Sequence, residues 1–328
     1  MTPQERARST ISHVQPSQRG YYDIPVIHGP HWKWLIIGYF YFGGIAGASA
    51  VIAAFLRLLG GKSGAPLARI ATYVSFLALV PCPVLLILDL GRPTRFFHML
   101  RTFRVTSPMS IGTWGLTTFG GISALATGLQ LLDDRLACSR ERPGGVWPGV
   151  GTGLSLLGGL SGFFVAGYTG VLLAATAVPL WSKRPALLGP LFLSSAMTSG
   201  AAAISAVAWI SQCEESGAHE QLRALETLST VTEASLLVTW IMALGSTAKP
   251  IAEGHLGAVA RHGAVGAGMA LPLTIGALSP YLPQRLRRPA AVLSAALTLA
   301  GVFAVRYAVV MGGRQSADDP SATFDMTG

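Results

Sequence analysis

The chain has 328 residues, of which 51% are hydrophobic and only 12% charged, with a mean hydropathy of +0.49. A soluble domain carries about twice that share of charge, so the composition excludes an ordinary water-soluble protein and selects a polytopic membrane protein. The formal charge of +9 does not indicate nucleic acid as a partner. The basic residues lie mostly between apolar runs, where lipid headgroups and topology account for them.

Residues 1–34 read as a polar tail followed by an interfacial segment. Met1 to Gly29 lacks the apolar core of a secretory signal. The stretch YYDIPVIHGPHWKW (21–34) then sets aromatics, His28 and His31 just before the first apolar run. Trp32 and Trp34 suit anchors at the headgroup level.

About eight runs follow that are long and apolar enough to cross a bilayer, for which roughly 20 residues are needed. They cover 35–59, 67–88, 110–132, 149–176, 186–211, 228–246, 257–280 and 289–311. We read 35–311 as one all-α membrane domain and 312–328 as a C-terminal tail. An even number of crossings puts both termini on one face, here called face A, with the loops near 89–109, 177–185 and 247–256. The opposite face B carries the loops near 60–66, 133–148, 212–227 and 281–288. Lys and Arg divide almost evenly between the two faces, so the positive-inside rule selects neither orientation. The pairs Gly43/Gly47 and Gly158/Gly162 each place two glycines on one helix face and predict close helix crossings.

The stretch that organises the chain is LLILDLGRPTRFFHMLRTFRVTSPMSIGTW (85–114). Asp89 stands where the second run stops, and a Gly91-Arg92-Pro93 break follows. A basic and aromatic segment then leads to a Ser107-Pro108 start signal for the third run. A carboxylate at the mouth of a membrane helix is costly without a partner. Few other ionisable groups fall within the runs. Arg306 and Tyr168 are placed in the face A halves of runs 8 and 4. Glu233 lies about two turns in from face B on run 6, with Glu226 seven residues earlier on the same side. Arg57, near the face B end of run 1, is expected to snorkel.

A His, an Asp, a Tyr and an Arg at similar depth fit two readings. They can bind a polar ring head, with acceptors for the protons of a quinol and donors for the carbonyls of a quinone. Alternatively, Asp89 pairs with Arg92 or Arg306 only to hold helices together. Metal chemistry is not expected. Cys82, Cys138 and Cys213 show no cluster or zinc spacing. None of the seven histidines falls mid-run, as the paired axial ligands of a membrane haem require.

The pieces HWKW with YFYFGGIAGASA (31–34, 39–50), LILDLGRPTRFFHMLRTFRVTSPMSIGTW (86–114), GYTGVLLAATAVPLW (167–181) and RYAVVMGG (306–313) resemble the NrfD/PsrC family. These are integral membrane subunits of multi-subunit iron–sulfur and molybdopterin oxidoreductases. The resemblance implies two four-helix bundles that carry no redox cofactor of their own, in a bacterial inner membrane. It implies exchange of electrons between menaquinone or ubiquinone and a ferredoxin-like iron–sulfur partner seated over face A, beside a further catalytic subunit. A chain of this kind is not expected to be active alone.

The resemblance implies catalytic roles for His31, Asp89 and Tyr168, with Trp32 and Arg306 also at the quinone. Asp89, Glu233 and Arg306 would form a proton path, and Arg92, Arg95, Arg101 and Arg104 a docking surface for the partner. His98 can replace or assist His31. Two rival readings are a non-redox proton or solute channel and a purely structural membrane anchor.

Overall fold

The computed structural model describes residue 30 and residues 32–92, 94–139, 148–211 and 216–319. Eight helices among them are long and apolar enough to cross a membrane: α1 (Trp34–Leu59), α2 (Ser63–Asp89), α3 (Pro108–Arg135), α4 (Gly149–Ala174), α5 (Pro185–Ile210), α6 (His219–Ala252), α7 (Gly254–Tyr281) and α8 (Gln284–Asp318). The protein is an all-α polytopic integral membrane protein. Backbone polarity leaves a lipid-embedded chain few other solutions, because every N–H and C=O must bond internally.

Sequence punctuation sets several helix ends. Pro108 and Pro185 begin their helices, where no N–H is needed. Asp89 is the last residue of α2 because Leu90 caps it and Gly91 turns left-handed at φ +66°. Upstream, α2 is interrupted at Val80, where Pro81 and Pro83 remove two donors from the helical ladder.

The helices pack as two quartets. In the first, α1 lies against α2 and α4, and α3 against α4 and α2; in the second, α5 contacts α6 and α8, and α7 contacts α8. α1 and α4 also pack on α5 and join the quartets. Small residues make the crossings close, as expected where no hydrophobic force drives helices together. A Cβ on Gly162 would stand 2.6 Å from the Gly47 carbonyl oxygen, and one on Gly200 would stand 2.8 Å from the Ala48 Cβ. One member of each expected pair, Gly47 and Gly162, therefore lies at the crossing of α1 with α4, whereas outside its own helix Gly43 is nearest Cys82 of α2 and Gly158 nearest Ile122 of α3. Large apolar side chains such as Leu77, Leu160 and Met242 point outward, towards lipid.

Two helices run well beyond the apolar runs that announced them. α6 starts at His219 rather than near 228, and α8 continues past Met311 to Asp318. Hydropathy locates the apolar core of a helix, but the ends here are held by packing of small and polar residues. Gly312, Gly313 and Ser316, for example, are all buried. α7 has its own irregularity, since Val259–Ala270 is wound as a π-helix.

Candidate functional site

The short helix Arg95–Arg101 lies between α2 and α3 on face A and helps to roof a cavity of about 400 Å³ in the first quartet. The walls come from α1 (Ile36, Tyr39), α2 (Leu79, Pro83, Leu86, Asp89), α3 (Met109, Gly112, Thr113, Leu116) and α4 (Tyr168, Leu172), with Trp32 and Phe96 beside them. The lining is predominantly apolar. Its polar groups are few: the Asp89 carboxylate, the hydroxyls of Tyr39, Tyr168, Thr113 and Thr117, and the Trp32 indole. A concave apolar space with a few convergent polar groups is the usual form of a small-molecule site.

Local structure explains how each group reaches the cavity. The Gly91 turn ends α2 at Asp89 and sends the chain back across the opening. Ser110 ties that return segment to the start of α3, because its Oγ accepts from Arg104 N at 3.0 Å and donates to the Thr102 carbonyl at 3.2 Å. Tyr168 donates its hydroxyl to the Pro108 carbonyl, and its ring stacks on Phe164 with centroids 5.2 Å apart. Only a glycine fits beneath that ring, since a Cβ on Gly112 would lie 2.5 Å from the ring's Cε1 atom.

Trp32 is more than an interfacial anchor. It stacks on Trp181 at 5.3 Å, and Trp181 Nε1 donates to the Val309 carbonyl at 2.9 Å while its ring occupies the space over Gly313. Three sequence pieces that looked separate, around Trp32, Trp181 and Met311–Gly313, thus meet at one contact. Trp34 by contrast is 69% exposed.

A second hollow of about 660 Å³ adjoins the cavity through Leu90, Met99 and Met109, and His98, Thr102, Arg104 and Ser107 line it. Arg92, Arg101 and Arg104 are exposed around this mouth, as are Phe97 and Phe103. The side chain of Arg95 lies outside the described residues, as does His31.

Of the predicted site residues, Trp32, Asp89 and Tyr168 share the cavity, and Arg306 does not line it. Arg306 is fully buried in the second quartet. Its Nε donates to the Phe40 carbonyl at 3.0 Å and its Nη1 to Ser195 Oγ at 2.8 Å, with the guanidinium 5.7 Å from the Phe192 ring centroid. Gly44 leaves room for it, because a Cβ there would stand 2.6 Å from Nη2. The expected depth difference between Glu233 and Arg306 is also absent. Glu233 is fully buried with Arg306, Ser195 and Thr198 as polar neighbours, and neither of its carboxylate oxygens accepts a hydrogen bond among the described residues. The extra length of α6 and α8 at both ends accounts for this, since it brings both residues towards mid-helix. Nearer face B, Glu226 lines a separate cleft of about 340 Å³ with Arg223 and Thr230.

The sequence reading missed two features of the first quartet. Tyr39 lines the cavity, and the aromatic cluster YFYF gave no sign of which ring points inward. Arg57, expected to snorkel, turns inward instead and donates to Gln130 Oε1 at 2.6 Å. Gln130 Nε2 donates to Asp134 Oδ1 at 2.9 Å, and Asp134 also accepts from Tyr73 and pairs with Arg69 at 2.7 Å. No cluster of three or more metal-ligating side chains occurs among the described residues.

Comparison with known proteins agrees with the architecture. The profile of the family described as "Polysulphide reductase, NrfD" matches residues 27–317. The C subunit of polysulfide reductase from Wolinella succinogenes is 24% identical over 313 residues, which cover 86% of this chain and 94% of that relative.

Proposed function

Because the chain belongs to the NrfD polysulphide reductase family, we propose that the face A cavity binds a quinone and that the chain is the quinone-reactive membrane subunit of an oxidoreductase complex. The observation that carries this reading is the form of the cavity. It is an apolar space of about 400 Å³ whose few polar groups include Asp89 and Tyr168, beside a basic, aromatic surface at its mouth. The apolar walls suit a ring and isoprenoid tail, such as those of menaquinone or ubiquinone, and the polar groups suit its two oxygens.

Asp89 is the acceptor for one quinol proton, because a carboxylate at the edge of an apolar cavity can take a proton as charge leaves the ring. Tyr168 positions the ring. Its hydroxyl donates to the Pro108 carbonyl, which leaves the phenolic oxygen's lone pairs for a quinol hydroxyl. Trp32 closes the wall, and His31, next to it in sequence, is the proposed partner of the second ring oxygen. Glu233 and Arg306 stand apart from the cavity and are proposed to hold or pass a proton within the second quartet; the unbonded Glu233 oxygens support that role.

Electrons leave for an iron–sulfur subunit docked over face A, which a further catalytic subunit, of molybdopterin type, accompanies. Arg92, Arg95, Arg101 and Arg104 give that surface its charge, so the partner's matching face is acidic. The bacterial inner membrane is the proposed location.

The test is oxidation of a short-chain naphthoquinol by the purified complex, comparing wild type with Asp89→Asn and Tyr168→Phe. Loss of turnover in both variants, in complexes that remain assembled with an iron–sulfur subunit, supports the site. Full turnover in both makes the residues structural and favours a membrane anchor. Purification with no redox partner favours a channel.

A further inference from the structure

The cleft of about 340 Å³ at face B lies in the second quartet, away from the quinone cavity. α6 lines it with Arg223, Glu226 and Thr230, and α8 with Arg287 and Ser294. Spacings of three, four and seven residues keep each set on one side of its helix. From Arg223 to Thr230, and from Arg287 to Ser294, a helix rises about 10 Å at 1.5 Å per residue. The cleft therefore runs from the end of the quartet into its apolar layer, where Leu273 and Ile275 of α7 flank it.

Three observations point to an anionic ligand. First, two guanidiniums from different helices are set in place by backbone carbonyls. Arg223 Nη2 donates to the Gly276 carbonyl at 2.7 Å, and Arg287 donates through Nε to Leu282 and through Nη2 to Pro280, each at 3.0 Å. Neither side chain is in an ion pair among the described residues, and a guanidinium has five N–H donors, so both retain donors for a ligand. Second, α8 opens with Gln284-Arg285-Leu286-Arg287-Arg288 and has no acidic residue in its first turn. Cations at a helix N-terminus oppose the macrodipole, so helix formation does not account for them, whereas an anion at this end offsets the cost. Third, the charged groups in the cleft are two arginines and one glutamate, an excess that one monoanion neutralises. A phosphodiester is such a monoanion, and its two free oxygens match the paired N–H groups of a guanidinium.

The surroundings identify the source of that phosphodiester. Trp209 lines the cleft, and Tyr281, at the end of α7, is 85% exposed. These ring types mark the headgroup level of a bilayer, and basic pockets between membrane helices at that level bind anionic lipid heads. We propose that the cleft binds an anionic phospholipid with an uncharged head, of the phosphatidylglycerol type. The phosphodiester lies between Arg223 and Arg287, which bridges α6 and α8, and the acyl chains lie along Leu273 and Ile275. The glycerol head points to the water at face B. An amine head there would meet Arg285 and Arg288 as like charges, so zwitterionic lipids are disfavoured. The site does not rest on the quinone reading.

The experiment is native mass spectrometry of the whole complex, stripped of lipid in detergent and titrated with dioleoylphosphatidylglycerol. The wild type retains one lipid tightly. Arg223→Gln combined with Arg287→Gln weakens that first binding at least tenfold, whereas Arg285→Gln, which removes a charge outside the cleft, binds as wild type. Dioleoylphosphatidylcholine binds at least tenfold more weakly, and inorganic phosphate does not displace the bound lipid. Unchanged binding by the double variant, or an equal loss in Arg285→Gln, overturns the site. Equal affinity for the two lipids overturns the preference for an anionic head, and displacement by inorganic phosphate makes the cleft a soluble-anion site instead. If the double variant fails to assemble, fluorescence quenching by phosphatidylglycerol with brominated acyl chains decides. Quenching that is smaller in Trp209→Phe than in wild type places the lipid in the cleft, and equal quenching overturns it.

Discussion

The two helix quartets handle polar groups in lipid in opposite ways. In the first, polar groups face spaces: the cavity with Asp89, Tyr39 and Tyr168, the small void among the hydroxyls of Thr72, Ser75, Ser123 and Ser155, and the network that ends at Asp134. In the second, the mid-helix charges Arg306 and Glu233 are sealed. Arg306 is wrapped by backbone and side-chain acceptors and by Phe192, and Glu233 stands beside it without a bonded oxygen among the described residues. A group that faces a space can exchange its partner for water or a ligand. A sealed charge answers only to its neighbour, so changing one member exposes the full desolvation cost of the other. The first arrangement suits chemistry, and the second combines structural rigidity with the capacity to hold a proton.

Breaking the sealed pair should have the largest effect. Arg306→Met leaves Glu233 without its cation and is expected to cost about 3–5 kcal/mol of stability, read as a lower unfolding midpoint of the detergent-solubilised chain. Adding Glu233→Gln should recover part of that loss, because neighbouring buried charges are coupled and their effects need not add. An additive double variant would show that the two groups are not coupled.

Asp89→Asn should leave the unfolding midpoint near that of the wild type and lower quinol turnover roughly a hundredfold, within the range of a positioned acid or base. A large fall in stability with normal turnover per folded complex would assign Asp89 to structure.

Packing between α1 and α4 supplies an intermediate effect. A Cβ on Gly162 meets the Gly47 carbonyl oxygen at 2.6 Å and the Ala50 Cβ at 3.0 Å. Gly162→Ala should therefore cost about 1–3 kcal/mol, and a neutral result would mean that α1 and α4 can part without penalty. The smallest effect is expected from Trp32→Leu. It loses the stack on Trp181, of order 0.5–1.5 kcal/mol, and should weaken quinol binding more than it weakens the fold. Equal loss in both would place Trp32 in the core rather than at the ligand.

Much of the fold was legible because the bilayer sets one simple requirement. Each crossing needs a long apolar run, and all eight runs correspond to spanning helices. Asp89 was legible for a related reason, as a charge at a helix end followed by a Gly-Arg-Pro break. The buried hydroxyls and amide of α3 (Ser123, Thr127 and Gln130) were present in the sequence at spacings of three and four. They lay hidden because a hydropathy window averages them with the leucines around them.

Local sequence thus determined the membrane class, the number of long apolar runs, the glycine spacing that permits close crossings and the end of α2 at Asp89, since each depends on residues within a single run or turn. Tertiary structure decided which of those residues meet. It seated Trp181 over Gly313 and beneath Trp32, brought Tyr168 to Asp89 across one cavity, and placed Arg306 next to Glu233 instead. The reason is physical: depth along a helix follows from counting residues, whereas the direction a side chain faces depends on which neighbour leaves it room. At Gly44, Gly112 and Gly313 that room exists only because the residue has no side chain.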